Sequence, residues 1–186
     1  ESTAKMMEAM STRMDAMGKT IEVLLKAVAT MATKQNVGST AESVVNTSKE
    51  DELKRIDQLI QSEDYEAAFT KALSASKPEL AVYACKLSDL STVIEGDTPL
   101  LSQPIMLCLM QQLGADLSQN DDLNMKIAWL QSVAVTLDPN DDSIKKHVKG
   151  VCQQLVSNVQ VKMADSDAGV RRQLQMLTQV IRGVGL

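Results

Sequence analysis

From Met7 to Met31, apolar residues recur at alternating intervals of three and four: Met7, Met10, Met14, Met17, Ile21, Leu24, Val28 and Met31. These are the a and d positions of a heptad, held over about four repeats, and a 3.5-residue period keeps one seam turned toward a partner helix. The segment therefore reads as a Met-rich coiled-coil-like helix over residues 1–35, with the eight seam residues as candidate oligomerisation contacts. The flanking positions include Arg13, Gly18, Thr20, Leu25 and Ala27, which offer few complementary charges to fix register. Methionine packs adaptably, so the partner and copy number are left weakly specified. The other reading is a single amphipathic helix lying on the domain that follows.

The period is lost over residues 36–47, where Gly38 and several Ser and Thr residues read as a linker. A domain is expected over 48–186, opened by a capping-box-like Ser48 with Asp51. Its composition favours helices. Aromatic residues are only 2% of the chain, and four prolines and eight glycines leave long stretches uninterrupted.

Seven helical stripes follow. Leu53, Ile56, Leu59 and Ile60 make the first. After a turn at Ser62-Glu63-Asp64 come Tyr65, Ala68, Phe69, Ala72 and Leu73. Pro78 opens a third helix carrying Leu80, Ala81, Tyr83, Ala84 and Leu87. Residues 88–101 read as a longer connection. Ser102 then caps a helix whose run Ile105-Met106-Leu107-Cys108-Leu109-Met110 is apolar on every side, which predicts a central, buried position. Asp121-Asp122 is expected to cap a helix bearing Leu123, Ile127, Leu130, Ala134 and Leu137, ended by Pro139. Asp141-Asp142 is expected to start another with Ile144, Val148, Val151, Leu155 and Val159. The last, entered at Asp165 to Asp167, carries Val170, Leu174, Leu177 and Ile181 and ends at Gly183 and Gly185. The fold class is all-α: a coiled-coil-like N-terminal helix followed by an α-α superhelix of about seven stacked antiparallel helices, armadillo/HEAT-like. An irregular bundle is the alternative, because no clean repeat is visible.

The pattern offers little chemistry. Gly18-Lys19-Thr20 resembles the end of a phosphate-binding loop, but Arg13 stands where that loop needs glycine. His147 is the single histidine and has Lys145, Lys146 and Lys149 for neighbours, so it reads as part of a solvated face. Cys85, Cys108 and Cys152 are odd in number and lie in apolar helical contexts, as core thiols do. No catalytic, metal or cofactor residue is expected, and no apolar run is long enough to span a bilayer. The chain begins at Glu1 rather than Met, which suggests a piece of something longer. Net charge is −5 and uneven: residues 48–140 are acidic and 141–186 are basic. The candidate partner surface is therefore either the first hairpin, around Tyr65 and Phe69, or a basic face of Lys145, Lys146, Lys149, Arg171 and Arg172. Tyr65, Phe69 and Trp129 can each be read as surface or as core. The basic residues also open an alternative, an RNA-binding helical module.

A resemblance adds to this. Leu100-Leu101-Ser102-Gln103-Pro104 through Leu113, followed by Ala115-Asp116-Leu117, is similar to the signature stretch of the enhancer-of-mRNA-decapping scaffold family. Leu59-Ile60, Tyr65 to Phe69, Ala72-Leu73, Val82 to Cys85, Trp129-Leu130 and Leu137-Asp138 resemble its flanking helices. The resemblance implies a non-catalytic C-terminal helical domain of a large cytoplasmic scaffold. It also implies self-association, targeting to processing bodies, and contact with decapping-complex proteins in mRNA decay.

Overall fold

The computed structural model describes residues 45–75, 77–118 and 121–185. The heptad positions Met7 to Met31, and all of the expected linker except its last three residues, lie outside that set. Eight helices are present among the described residues, with no strand. They are α1 (Val45–Gln61), α2 (Tyr65–Ser74), α3 (Pro78–Leu87), the single turn α4 (Leu90–Val93), α5 (Gln103–Ala115), α6 (Leu123–Thr136), α7 (Lys145–Ala164) and α8 (Ala168–Gly185). A 3₁₀ turn at Asp116–Ser118 follows α5.

Each boundary has a local cause. α1 already runs at Ser48, so the capping box expected there does not form. The helix closes at Glu63, which takes the left-handed conformation at φ 59°. The Asp64 amide then reaches back to the Leu59 carbonyl at 2.9 Å and the Glu63 amide to Ile60 at 3.0 Å. That pair of bonds is the Schellman pattern, with glutamate where glycine is usual. Asp64 next caps α2, accepting from the Ala67 amide at 3.2 Å. Pro78 sits in the first turn of α3, where its missing N–H costs nothing.

The connection at 88–101 is more ordered than its sequence suggests. Asp89 caps α4, accepting from the Thr92 amide at 3.0 Å and its hydroxyl at 2.7 Å. The segment drives Val93, Ile94 and Leu101 into the core. Its apolar residues are too few and too close together to show a period.

The all-round apolar helix is central, as its pattern predicts. Every residue from Pro104 to Met110 is buried, and α5 packs against α2, α3, α6 and α7. On one side α1, α2 and α3 pack on each other. On the other, α6 and α7 both pack on α8. α5 and α7 approach closely at Gly114, where an added Cβ would lie 2.5 Å from Leu155 Cδ1 of α7. The Gly114 carbonyl there accepts from Asn158 Nδ2 at 3.1 Å. The stripe residues predicted for α6, α7 and α8 are buried, apart from half-buried Val170.

Candidate interaction surfaces

Two of the four aromatic side chains are core. Phe69 on α2 is 0% exposed and Trp129 on α6 is 2% exposed. Their ring centroids stand 5.6 Å apart with planes tilted 37°, an ordinary aromatic pair. A partner-surface role for Phe69 and Trp129 is thereby corrected: with so few large side chains, the domain uses both to fill its middle. Tyr65 is different. It opens α2 and is half-buried.

The five basic candidates do not form one face. Lys145, Lys146 and Lys149 are exposed in the first turns of α7, and Lys145 pairs with Asp142. Arg171 and Arg172 begin α8, beside the other end of α7. At 1.5 Å per residue, Lys146 and Met163 lie about 25 Å apart along that helix. Arg171 also has a local task. Its Nε donates to the Met163 carbonyl at 3.2 Å and its Nη2 to Ser166 at 2.9 Å, closing the C-terminus of α7. The single basic face expected from sequence is thus two separate groups, with Arg172 exposed beside the second.

The paired aspartates behave unlike simple caps. Asp122 precedes α6 but takes the left-handed conformation at φ 59°, and its side chain accepts nothing from the helix amides. Its carboxylate faces Lys86 of α3 instead. Asp141 folds over Ser143, accepting from its amide at 2.8 Å and from its hydroxyl, and these bonds hold the carboxyl below the usual range. Asp167 does cap, accepting from the Val170 amide at 2.9 Å. Asp122, Asp165 and Asp167 border an open groove, about 550 Å³, between the first turn of α6 and the α7–α8 turn.

Several polar contacts tie the helices together. Lys126 lies within the apolar stripe of α6 and is 1% exposed. Its Nζ reaches Asp116 Oδ2 at 2.6 Å and the Asp116 carbonyl at 3.1 Å. A lone lysine on an apolar face was the available signal, because such a charge requires a partner. Glu66 accepts from both the amide and the hydroxyl of Ser102, at 2.9 and 2.6 Å. Ser102 is therefore the N-cap residue of α5, but its hydroxyl serves α2 rather than the helix it precedes. Tyr83 donates to Asp57 at 2.7 Å, tying α3 to α1, and that bond raises its pKa.

The three thiols are buried and unpaired. Burial raises each pKa, that of Cys108 to about 11, so they stay protonated and unreactive near neutrality. His147 is exposed at the start of α7. Among the described residues no group of three or more His, Cys, Asp or Glu side chains could hold a metal, and no helix is long and apolar enough to cross a membrane.

The family model for the C-terminal region of Enhancer of mRNA-decapping protein 4 matches residues 56–177. This chain belongs to that family. The mouse Enhancer of mRNA-decapping protein 4 is 30% identical over 128 residues, 68% of this chain and 9% of its own length. The human Enhancer of mRNA-decapping protein 4 is 35% identical over 98 residues, 53% of this chain and 7% of its own length. The chain thus spans under a tenth of the curated relatives it matches. The crystal structure of the conserved C-terminal region of Ge-1 superposes with a TM-score of 0.62 at 21% identity, covering 72% of this chain and 98% of that one. That likeness carries the fold.

Proposed function

We propose that this chain is a non-catalytic scaffold and interaction module in mRNA decapping, bringing copies of itself and decapping-complex proteins together in cytoplasmic processing bodies. The observation that carries this reading is the family match over residues 56–177, with relatives named as enhancers of mRNA decapping. The structure supports a binding role over a chemical one in a specific way. Its inward-facing polar groups tie helix to helix, as Glu66 ties Ser102 and Lys126 ties Asp116, rather than converging on a cleft.

Two surfaces enter the proposal. The heptad seam Met7, Met10, Met14, Met17, Ile21, Leu24, Val28 and Met31 is the oligomerisation strand. Tyr65 and the exposed Lys145, Lys146, Lys149 and Arg172 are offered to protein partners. Joining two weak contacts on one chain raises apparent affinity by about 10²–10⁴ without new chemistry.

The test compares the full chain with one starting at Thr40, by light scattering, circular dichroism and pull-down with purified decapping proteins. The truncated chain is expected to stay helical, lose oligomeric mass and bind partners more weakly. Equal mass for the two would remove the oligomerisation strand. Retention of RNA that falls steeply with salt, with no protein captured, would replace the whole reading by RNA binding.

A further inference from the structure

The segment between α4 and α5 presents a second kind of site. Ile94 and Leu101 are 1% and 3% exposed and act as anchors, while every residue from Glu95 to Leu100 is exposed. The protrusion is short and tied at its base. The Leu100 amide donates to the Val93 carbonyl at 2.9 Å. Glu95 adds side-chain tethers: Oε1 accepts from Ser132 of α6 at 2.6 Å and Oε2 from Ser91 of α4 at 3.1 Å.

At the outer part of this loop stands Thr98, followed by Pro99. All four prolines are visible in the sequence, and only this one follows a serine or threonine. A proline after the acceptor has a physical meaning for a protein kinase. It brings no N–H, so it enters an apolar pocket where any other residue would leave a backbone donor unpaired. It also biases the acceptor toward the extended backbone that a kinase cleft binds.

We propose that Thr98 is a phosphoacceptor for proline-directed protein kinases, and that its phosphate loosens the Glu95 tether to α6. The transfer is balanced by ATP: the γ-phosphoryl group passes to Thr98 Oγ1, the hydroxyl proton goes to the kinase base, and ADP leaves. The product carries about −1.5 to −2 charges at neutral pH. It arises beside Glu95 and Asp97, with no basic residue between Thr92 and Gln103 to neutralise it. Three residues of chain span at most about 10 Å, close to one screening length at physiological salt, so Glu95 feels the new charge. Repulsion then favours conformers in which Glu95 leaves Ser132.

The experiment incubates the full chain with ATP and a purified proline-directed kinase. Intact mass should rise by a single phosphate, mapped to Thr98, and Thr98→Ala and Pro99→Ala should each take up none. Circular dichroism confirms that both variants fold. Amide hydrogen exchange should then show lost protection at Leu100 in the phosphoprotein, and Ser132→Ala without phosphate should reproduce the loss. No incorporation, or incorporation that survives Thr98→Ala, overturns the site. Unchanged exchange at Leu100 in the phosphoprotein overturns the loosening.

Discussion

Glu66 of α2 holds Ser102 by two bonds at once, taking both its amide and its hydroxyl just where the chain enters α5. The carboxylate thereby sets the entry of the central helix from a neighbouring one. Hydrogen bonds to a charged acceptor contribute about 1.5–3 kcal/mol each, and less where solvent reaches them, as it does here. Glu66→Ala is expected to lower stability by about 2 kcal/mol in urea unfolding, and Ser102→Ala by about 1 kcal/mol. The double variant should cost less than the sum. Strict additivity would mean that the two residues do not act on each other.

The pair of buried Lys126 and half-buried Asp116 makes a sharper case. Removing one partner leaves an uncompensated charge, which costs about 3–5 kcal/mol. Asp116→Asn alone, which strands the buried Lys126 ammonium, should fall in that range. Lys126→Met combined with Asp116→Asn should recover much of the loss, because two charges need not then be desolvated. If the single variant is neutral by denaturant unfolding, the pair has no structural role.

Glu63 is strained where it stands. A side chain in the left-handed conformation costs about 1–2 kcal/mol, and glycine avoids most of that while losing more freedom on folding. Glu63→Gly should raise the unfolding free energy by about 0.5–1 kcal/mol. Glu63→Val should lower it. The opposite order would show that the closing turn of α1 is held by something other than its backbone geometry.

Alkali should act through the core thiols. Cys108 is raised from an ordinary value of 9.0 to about 11 by burial, and Cys85 and Cys152 shift the same way. Between those limits the folded chain holds protons that the unfolded chain has released. Stability is therefore full below about pH 9 and falls as pH rises toward 11. Cys108→Ala should flatten part of that fall, by up to about 2 kcal/mol, in melting curves taken from pH 8 to 11. A fall of the same size in the variant would assign it to other groups.

The helices were largely legible in the sequence, and the surfaces were not. Pro78 announced a helix start, the all-round apolar run from Ile105 to Met110 a buried centre, and the period of α6, α7 and α8 their inner faces. The lone Lys126 within the apolar stripe of α6 carries the one signal of a buried ion pair. The meeting of Phe69 with Trp129 was not legible, because it depends on how α2 and α6 flank α5. Nor was the separation of Lys146 from Arg172, which appears only once the chain reverses after α7. Asp122 shows why capping misled: one left-handed residue turned its carboxylate from its own helix toward Lys86.

The position of α5 sets how the domain comes apart. Both flanking groups of helices pack on α5, whose residues from Pro104 to Met110 are all buried, so each group loses its shared central support when that helix is withdrawn. Heat or denaturant should therefore find a single melting transition, with no half-folded survivor, even though the helices are laid out as two halves.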